Sequence, residues 1–209
     1  MELTENLKWR YATKKFDPGR KVAPEDLEKI KEAIRLSASS YGLQLYKVLI
    51  IEDRELREKL KSVSWGQHQI TDASHLIVFC NYTRPGQEHV EEYINLKAGI
   101  QEIPVENLKS YSDFMVQKLS EKSLKEQEEW TARQTYLALG NLLAACAELR
   151  IDTCPMEGFQ PDRYNEILGL SDRGLNTSVL ATIGYRSAED TSQYEKKVRK
   201  PGNKLFEEL

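Results

Sequence analysis

The sequence lacks a Gly-rich phosphate loop, a G-x-G-x-x-G turn, an H-E-x-x-H helix and a G-x-S-x-G elbow. Their absence removes the standard signatures of P-loop nucleotide hydrolysis, doubly wound dinucleotide binding, zinc peptidase chemistry and serine-hydrolase chemistry. Cysteine is scarce and odd in number: Cys80, Cys146 and Cys154 lie far apart, form no C-x-x-C pair and sit in apolar surroundings. They read as reduced core residues of a cytoplasmic chain, not as a disulfide frame. The three histidines, His68, His75 and His89, show no metal-ligand spacing, and no metal is expected. His75, just before the run LIVFC, reads as a structural hydrogen-bonder. No window approaches the run of about 20 apolar residues that a membrane span needs. The richest, YLALGNLLAACAEL, is short and has polar flanks. The start Met-Glu-Leu-Thr-Glu is acidic with no apolar run behind it, which predicts no secretory leader. A net charge of −3 offers no basic footprint for nucleic acid. Neither nucleic acid nor membrane is expected as a partner.

What the chain does have is charge and helical pattern. Its 209 residues suit one domain with a full core, and a 30% charged fraction points to solvated helices rather than a dominant sheet. A short helix is predicted over Thr4–Arg10, and Asp17-Pro18-Gly19 breaks the chain after it. Pro24, Glu25 and Asp26 start a second helix, in which Leu27, Ile30 and Ile34 recur at helical spacing. SASSYGLQ is loop, YKVLIIED strand, RELREKLKSVS short helix, WGQHQITDA irregular and SHLIVFCNY a buried strand. Between Pro85 and Leu119 two helices split at Pro104 are expected, with few core contacts. A long helix follows over Leu124–Leu149. From Tyr136 onward it is apolar on nearly every face, which predicts burial. Gly140 inside it costs about 1 kcal/mol relative to Ala and suggests close approach of another backbone. IDTCP, DRYNEILGL and NTSVLATIGYRS read as strand, helix and strand. The tail DTSQYEKKVRKPGNKLFEEL is too polar to form a core alone; it is either disordered or laid along another surface. One α+β domain is predicted.

Four small features could carry chemistry. Arg10 and Lys14 in RYATKKF are a cation pair at helical spacing that could grip a phosphate, or simply a solvated basic face. SASSYGLQ, from Ser37 to Gln44, offers many donors around Gly42, or is only a helix end and a turn. In WGQHQ, Gln67 and Gln69 could read a heteroaromatic edge or sugar hydroxyls, or sit in a plain loop. KKVRKP is a basic cluster in an acidic tail and could be merely solvated. To these the stretch PMEGF adds a lone carboxylate, Glu157, followed by Gly158 where a strand gives way to loop; on its own that is a simple turn.

Taken in order, RYATKKFD, SASSYGLQ, DASHLIVFC, PMEGF and K-x-R-K-P resemble the FMN-dependent nitroreductase family, from Arg10 to Pro201. The subgroup it looks closest to is the oxygen-insensitive NAD(P)H nitroreductases and dihydropteridine reductase-like enzymes. The resemblance implies an α+β fold with a central, mostly antiparallel sheet surrounded by helices, in an intertwined homodimer. Residues 1–209 would be one domain, with 186–209 an arm crossing to the partner. Two FMN sites would lie in the dimer interface. A buried dimer core would suit the apolar long helix.

Carried over by position, Arg10, Lys197 and Arg199 look like an FMN phosphate clamp, and Tyr11 and Ala12 belong to the same segment. Ala12 replaces a frequent Ser or Thr, which implies one hydroxyl contact fewer. Lys14 falls where the family places a cation beside the flavin N1 and C2 carbonyl, favouring reduction. Ser37, Ala38, Ser39, Ser40 and Gly42 match a loop reaching the cofactor from the other subunit. After it, Gln44-Leu45-Tyr46 replaces a Gln-Pro pair, which implies a looser loop. Gln67 and Gln69 would touch the ribityl chain and pyrimidine. Pro155, Met156, Glu157 and Gly158 would lie against one flavin face, with the main-chain N–H at Glu157 and Gly158 aimed at N5 and the glycine allowing close approach. The implied activity is ping-pong hydride transfer from NAD(P)H through FMN to a nitroaromatic or quinone, with no side chain needed as acid or base. A flavin carrier or regulator with little turnover, a specialised relative such as a dihydropteridine reductase, and a colourless interaction module are the alternatives.

Overall fold

A computed structural model describes residues 2–209. Helices α1 (Glu2–Trp9) and α2 (Pro24–Arg35) precede strand β1 (Tyr46–Ile51). Helix α3 (Arg54–Ser62) and a helical turn, α4 (Gln69–Asp72), lead into β2 (His75–Tyr82). Then come α5 (Gln87–Gln101), α6 (Lys109–Ser120), α7 (Leu124–Glu148), β3 (Asp152–Met156), α8 (Pro161–Leu168), β4 (Leu175–Gly184) and a last turn, α9 (Gly202–Leu205). Local chemistry sets these limits. Pro24 opens α2 with Glu25 and Asp26 in the first turn, where carboxylates favour the helix dipole. Ser123 and Glu126 close a capping box on α7: the Ser123 N–H donates to Glu126 Oε2 at 2.8 Å, a cap worth about 1 kcal/mol. WGQHQITDA is not wholly irregular, because Arg57 organises it. Its buried guanidinium donates to the carbonyls of Ser74 and Ala73, both at 2.9 Å, and to that of Thr71. These bonds satisfy the carbonyls that end α4.

The four strands form one antiparallel sheet in the order β1-β2-β4-β3. Side-chain alternation divides the core between its faces. Leu76, Val78 and Cys80 of β2 pack with α3, α4 and α8 residues such as Leu60, Ile70 and Tyr164. Ile77 and Phe79 pack with Ile30 and Ile34 of α2 and Ala138, Leu142 and Cys146 of α7. A register shift between Phe79 and Cys80 puts Leu175 and Leu180 of β4 on the same face despite their odd spacing. The outer edge of β3 is partly covered, since Ala12 bridges Thr153 in parallel. No strand pairs with the outer edge of β1 among the described residues. His75 is the hydrogen-bonder expected, with Nδ1 2.9 Å from Ser74 Oγ and Nε2 3.1 Å from Glu52. No helix is long and apolar enough to cross a membrane among the described residues.

Two expectations are corrected. Helices α5 and α6 do not lack core contacts: Val90, Ile94, Ala98, Met115 and Leu119 enclose Leu43 and Leu45 in a third apolar cluster. Their apolar residues are diluted among polar ones, which hid the buried stripe. Within this chain α7 is not buried all round either. Tyr136 is 43% and Leu137 55% exposed, and a Cβ on Gly140 would meet nothing within 4 Å. The close approach read from Gly140 has no counterpart inside the chain.

Candidate active site

Beyond α1 the chain runs along the free edge of β3, where the Thr13 N–H donates to the Thr153 carbonyl at 3.1 Å. This places Arg10, Tyr11, Ala12 and Lys14 beside Pro155. The tail returns to the same place because Asp190 ties the two together. Its carboxylate accepts from the Lys14 N–H at 2.7 Å, the Lys15 N–H at 3.1 Å, the Tyr11 hydroxyl at 2.9 Å and the Ser192 N–H at 3.1 Å. Burial pushes this carboxyl up, but those donors outweigh it and hold it below the ordinary value. Burial and the bond to Asp190 raise the Tyr11 phenol. Arg186 adds a second tie: it grips Asp152, with Nε 2.8 Å from Oδ1, and stacks between the rings of Trp9 and Tyr11.

The result is a cavity of about 470 Å³ lined by Arg10, Tyr11, Ala12, Lys14, Pro155, Lys197 and Arg199. Six cations line it in all, together with Glu195, and three of them, Arg10, Lys197 and Arg199, lie close enough to repel one another. Burial, then Arg199, lowers the Arg10 pKa; burial, then Arg10 and Arg199, lowers that of Lys197. No carboxylate forms an ion pair with any of the three among the described residues. Arg10 Nε is buried without a hydrogen-bond partner. Lys197 is held in place by donating to the carbonyls of Leu7, at 2.7 Å, and Arg10. A half-buried Arg10 with one spare buried donor, flanked by the exposed Lys197 and Arg199, suits an anion with several acceptor oxygens.

At the end of β3 the chain turns. The Phe159 N–H donates to the Glu157 carbonyl at 3.0 Å, and Gln67 Nε2 donates to the Gly158 carbonyl at 2.7 Å and the Ser64 carbonyl at 3.1 Å. The amide donors of Gln67 are thus committed within the protein. Gln69 is buried in α4. The Met156 side chain belongs to the core, so only its main chain reaches the turn's surface. A Cβ on Gly158 would lie 2.7 Å from the Trp65 ring and 3.0 Å from Gln67 Nε2. A larger residue at this position would have to push the Trp65 ring aside, a neighbour the sequence reading did not contain. Trp65 is 71% exposed at φ 56°. The Tyr136 hydroxyl reaches Glu157 Oε1 at 2.5 Å.

Ser37, Ala38, Ser39, Ser40 and Gly42 share no cavity with Arg10. They follow α2 and lean on α7, where Asn141 Nδ2 donates to Ser37 Oγ at 2.8 Å and Gln134 Oε1 accepts from the Ser40 N–H at 3.1 Å. The loop is not loosened by Leu45. That side chain is buried, the Gln44 N–H donates to Ser39 Oγ at 2.9 Å, and Gln44 Nε2 donates to the Arg35 carbonyl at 2.8 Å. Asp190, Tyr136 and Trp65 are the residues the sequence reading missed. Locally Asp190 only caps the turn that follows it, through the Ser192 N–H; its partners Tyr11, Lys14 and Lys15 lie at the other end of the chain.

A sequence profile of the Nitroreductase family matches residues 7–185. A Bacillus subtilis (strain 168) protein named "Putative NAD(P)H nitroreductase YfkO" is 36% identical over 200 residues, 88% of this chain and 89% of the relative. A Staphylococcus epidermidis crystal structure described as a "putative NAD(P)H:FMN oxidoreductase" superposes with a TM-score of 0.89 at 20% identity, covering 99% of this chain and 95% of that one. A "putative nitroreductase in complex with FMN" from Exiguobacterium sibiricum gives 0.82 at 19% identity, covering 100% and 98%. At those identities the two structures establish the fold.

Proposed function

Because the chain belongs to the nitroreductase family, we propose that it is an FMN-dependent NAD(P)H oxidoreductase acting on nitroaromatic or quinone acceptors. The carrying observation is the cluster of Arg10, Lys197 and Arg199 with no acidic partner and an orphaned Arg10 Nε. A phosphate monoester supplies both the charge and the acceptors that this cluster lacks. Bound FMN would supply the hydride chemistry, taking two electrons from a reduced nicotinamide and giving them to the acceptor in a separate step. The protein's own residues bind and orient. Arg10, Lys197 and Arg199 hold the phosphate, with Tyr11 and Ala12 beside them. Lys14, whose ammonium has no partner among the described residues, adds positive charge that favours an electron-rich ring. Pro155 lines the same cavity, and Gln67, Gln69, Met156, Glu157 and Gly158 belong to the segments that would meet the rest of the cofactor, the last three through their main chain. No acid or base side chain is required, in keeping with the lack of a catalytic constellation.

Two copies complete the site. The Ser37–Gly42 loop borders the exposed, apolar face of α7, a surface suited to a second copy. Residues 186–209 act as the arm. Its end, Leu205-Phe206-Glu207-Glu208-Leu209, is exposed, apolar and acidic. The bare edge of β1 lies beside a cleft lined by Ile34, Val48 and Ile50 and rimmed by Lys31, Arg35 and Lys47. The apolar residues of that segment suit the cleft's apolar lining, although Glu92 also lines it and Lys31 and Arg35 are already paired with Glu28 and Glu32.

The test is the visible spectrum of the purified protein before and after anaerobic NADPH. A flavin spectrum that bleaches supports the proposal. A flavin spectrum unmoved by NADPH or NADH makes the protein a carrier, and a colourless protein that cannot be reconstituted with FMN rejects the reading.

A further inference from the structure

The turn after β3 is anchored through its main chain at Met156, Gly158 and Gln160 and by the Phe159 ring, and one bond between side chains is added to these. Met156 is paired in the sheet opposite Leu180. The Gly158 carbonyl is held by Gln67. Just beyond, the Gln160 N–H donates to the Val63 carbonyl at 3.0 Å, and Phe159 packs on Tyr164 with ring centroids 5.0 Å apart. Between these anchors the Glu157 side chain points outward and has one partner, the Tyr136 hydroxyl at 2.5 Å. The main-chain N–H groups of Glu157 and Gly158 have no acceptor among the described residues. The phenol donates and the carboxylate accepts, a charge-assisted pairing. The phenol stands on α7, while Glu157 lies in the irregular stretch just past the end of β3. Partial burial and the carboxylate push the Tyr136 phenol up to about 12, which keeps it a proton donor at neutral pH. The helix that carries Tyr136 also carries Gln134 and Asn141, which bind the Ser40 and Ser37 region.

We propose that Tyr136 is a positioning residue for hydride exchange: through the Glu157 carboxylate it holds the 156–158 turn so that its two uncommitted N–H groups present a fixed donor pair to the site. Helix α7 then sets the turn and the Ser37–Ser40 loop against one another. This role rests on the FMN reading above. No bond forms or breaks at Tyr136, which keeps its proton throughout.

Tyr136→Phe, Glu157→Ala and Glu157→Gln separate the possibilities. The first measurement needs no cofactor: the ¹⁵N order parameters of the Glu157 and Gly158 amides, or of the residue replacing Glu157. These should fall from a rigid value near 0.85 to below about 0.6 in Tyr136→Phe and Glu157→Ala. Glu157→Gln can still accept the phenol O–H and should stay rigid. The second is single-turnover reduction of the FMN-loaded protein by NADPH. It should slow about tenfold in Tyr136→Phe, with the FMN dissociation constant changed less than about threefold, a split that loosened binding or misfolding would not give. Order parameters and reduction rates unchanged in Tyr136→Phe, in a wild-type protein that binds FMN, overturn the positioning role alone. A wild-type protein that takes up no FMN overturns the parent reading and this role with it.

Discussion

Two stretches of the chain match the same kind of site, and they are built differently. Arg10–Lys14 is finished within one chain: Asp190 clasps its main chain, β3 flanks it, and the tail brings Lys197 and Arg199 to it. Ser37–Gly42 is equally well fastened, through Ser39, Gln44 and Asn141, yet it lies apart from the cations and beside an uncovered helix face. One half is a closed receptacle for charge; the other is a shaped loop waiting for something to face. On the function proposed above, the second half would be completed by another copy of the chain.

Breaking the closed half should have the larger effect. Arg10→Ala removes a partly buried guanidinium and should weaken FMN binding about a hundredfold in a fluorescence-quenching titration, the equivalent of one strong charge-assisted contact. If Ser40→Ala costs as much, the contrast between the halves fails. Deleting residues 202–209 attacks the open half. It should weaken self-association at least tenfold, read by sedimentation, while the melting of the isolated chain is nearly unchanged. Asp190→Asn keeps the shape of the clasp without its charge and should cost about 2 kcal/mol in denaturant titration. Because the Asp190 carboxyl is held below its ordinary value, its contribution is complete above about pH 4. It is lost as the pH falls through the lower folded value, so wild type and variant should converge in acid. Ser123→Ala should be the mildest, about 1 kcal/mol from the cap of α7 with FMN affinity unmoved.

Periodic and punctuated elements were legible in the sequence. The start of α2 at proline, the β-branched run of β1 and the continuous apolar run of β2 read correctly because a local signal sets each. The third cluster did not, since Val90, Ile94 and Met115 are spread through polar helices whose partners, Leu43 and Leu45, come from a distant loop. In the candidate site, Arg10, Lys14, Lys197 and Arg199 could be named by position and do line one cavity. The carboxylate that assembles them could not, because Asp190 bonds to atoms more than 170 positions away. Gly158 stands out in the sequence, but its neighbour Trp65 does not: a Cβ there would come within 2.7 Å of the indole ring.

The three free cysteines are all buried. Burial pushes the Cys80 thiol up to about 12 and raises those of Cys146 and Cys154 as well. Only a thiolate attacks a disulfide reagent or a maleimide at a useful rate. The folded protein is therefore chemically silent toward both, and the appearance of titratable thiol is a direct gauge of unfolding. The same silence makes the native sequence a ready background for probes. A cysteine substituted at the exposed Trp65 position would be the single reactive sulfur on the surface, open to a nitroxide or a fluorophore without first removing any of the native three.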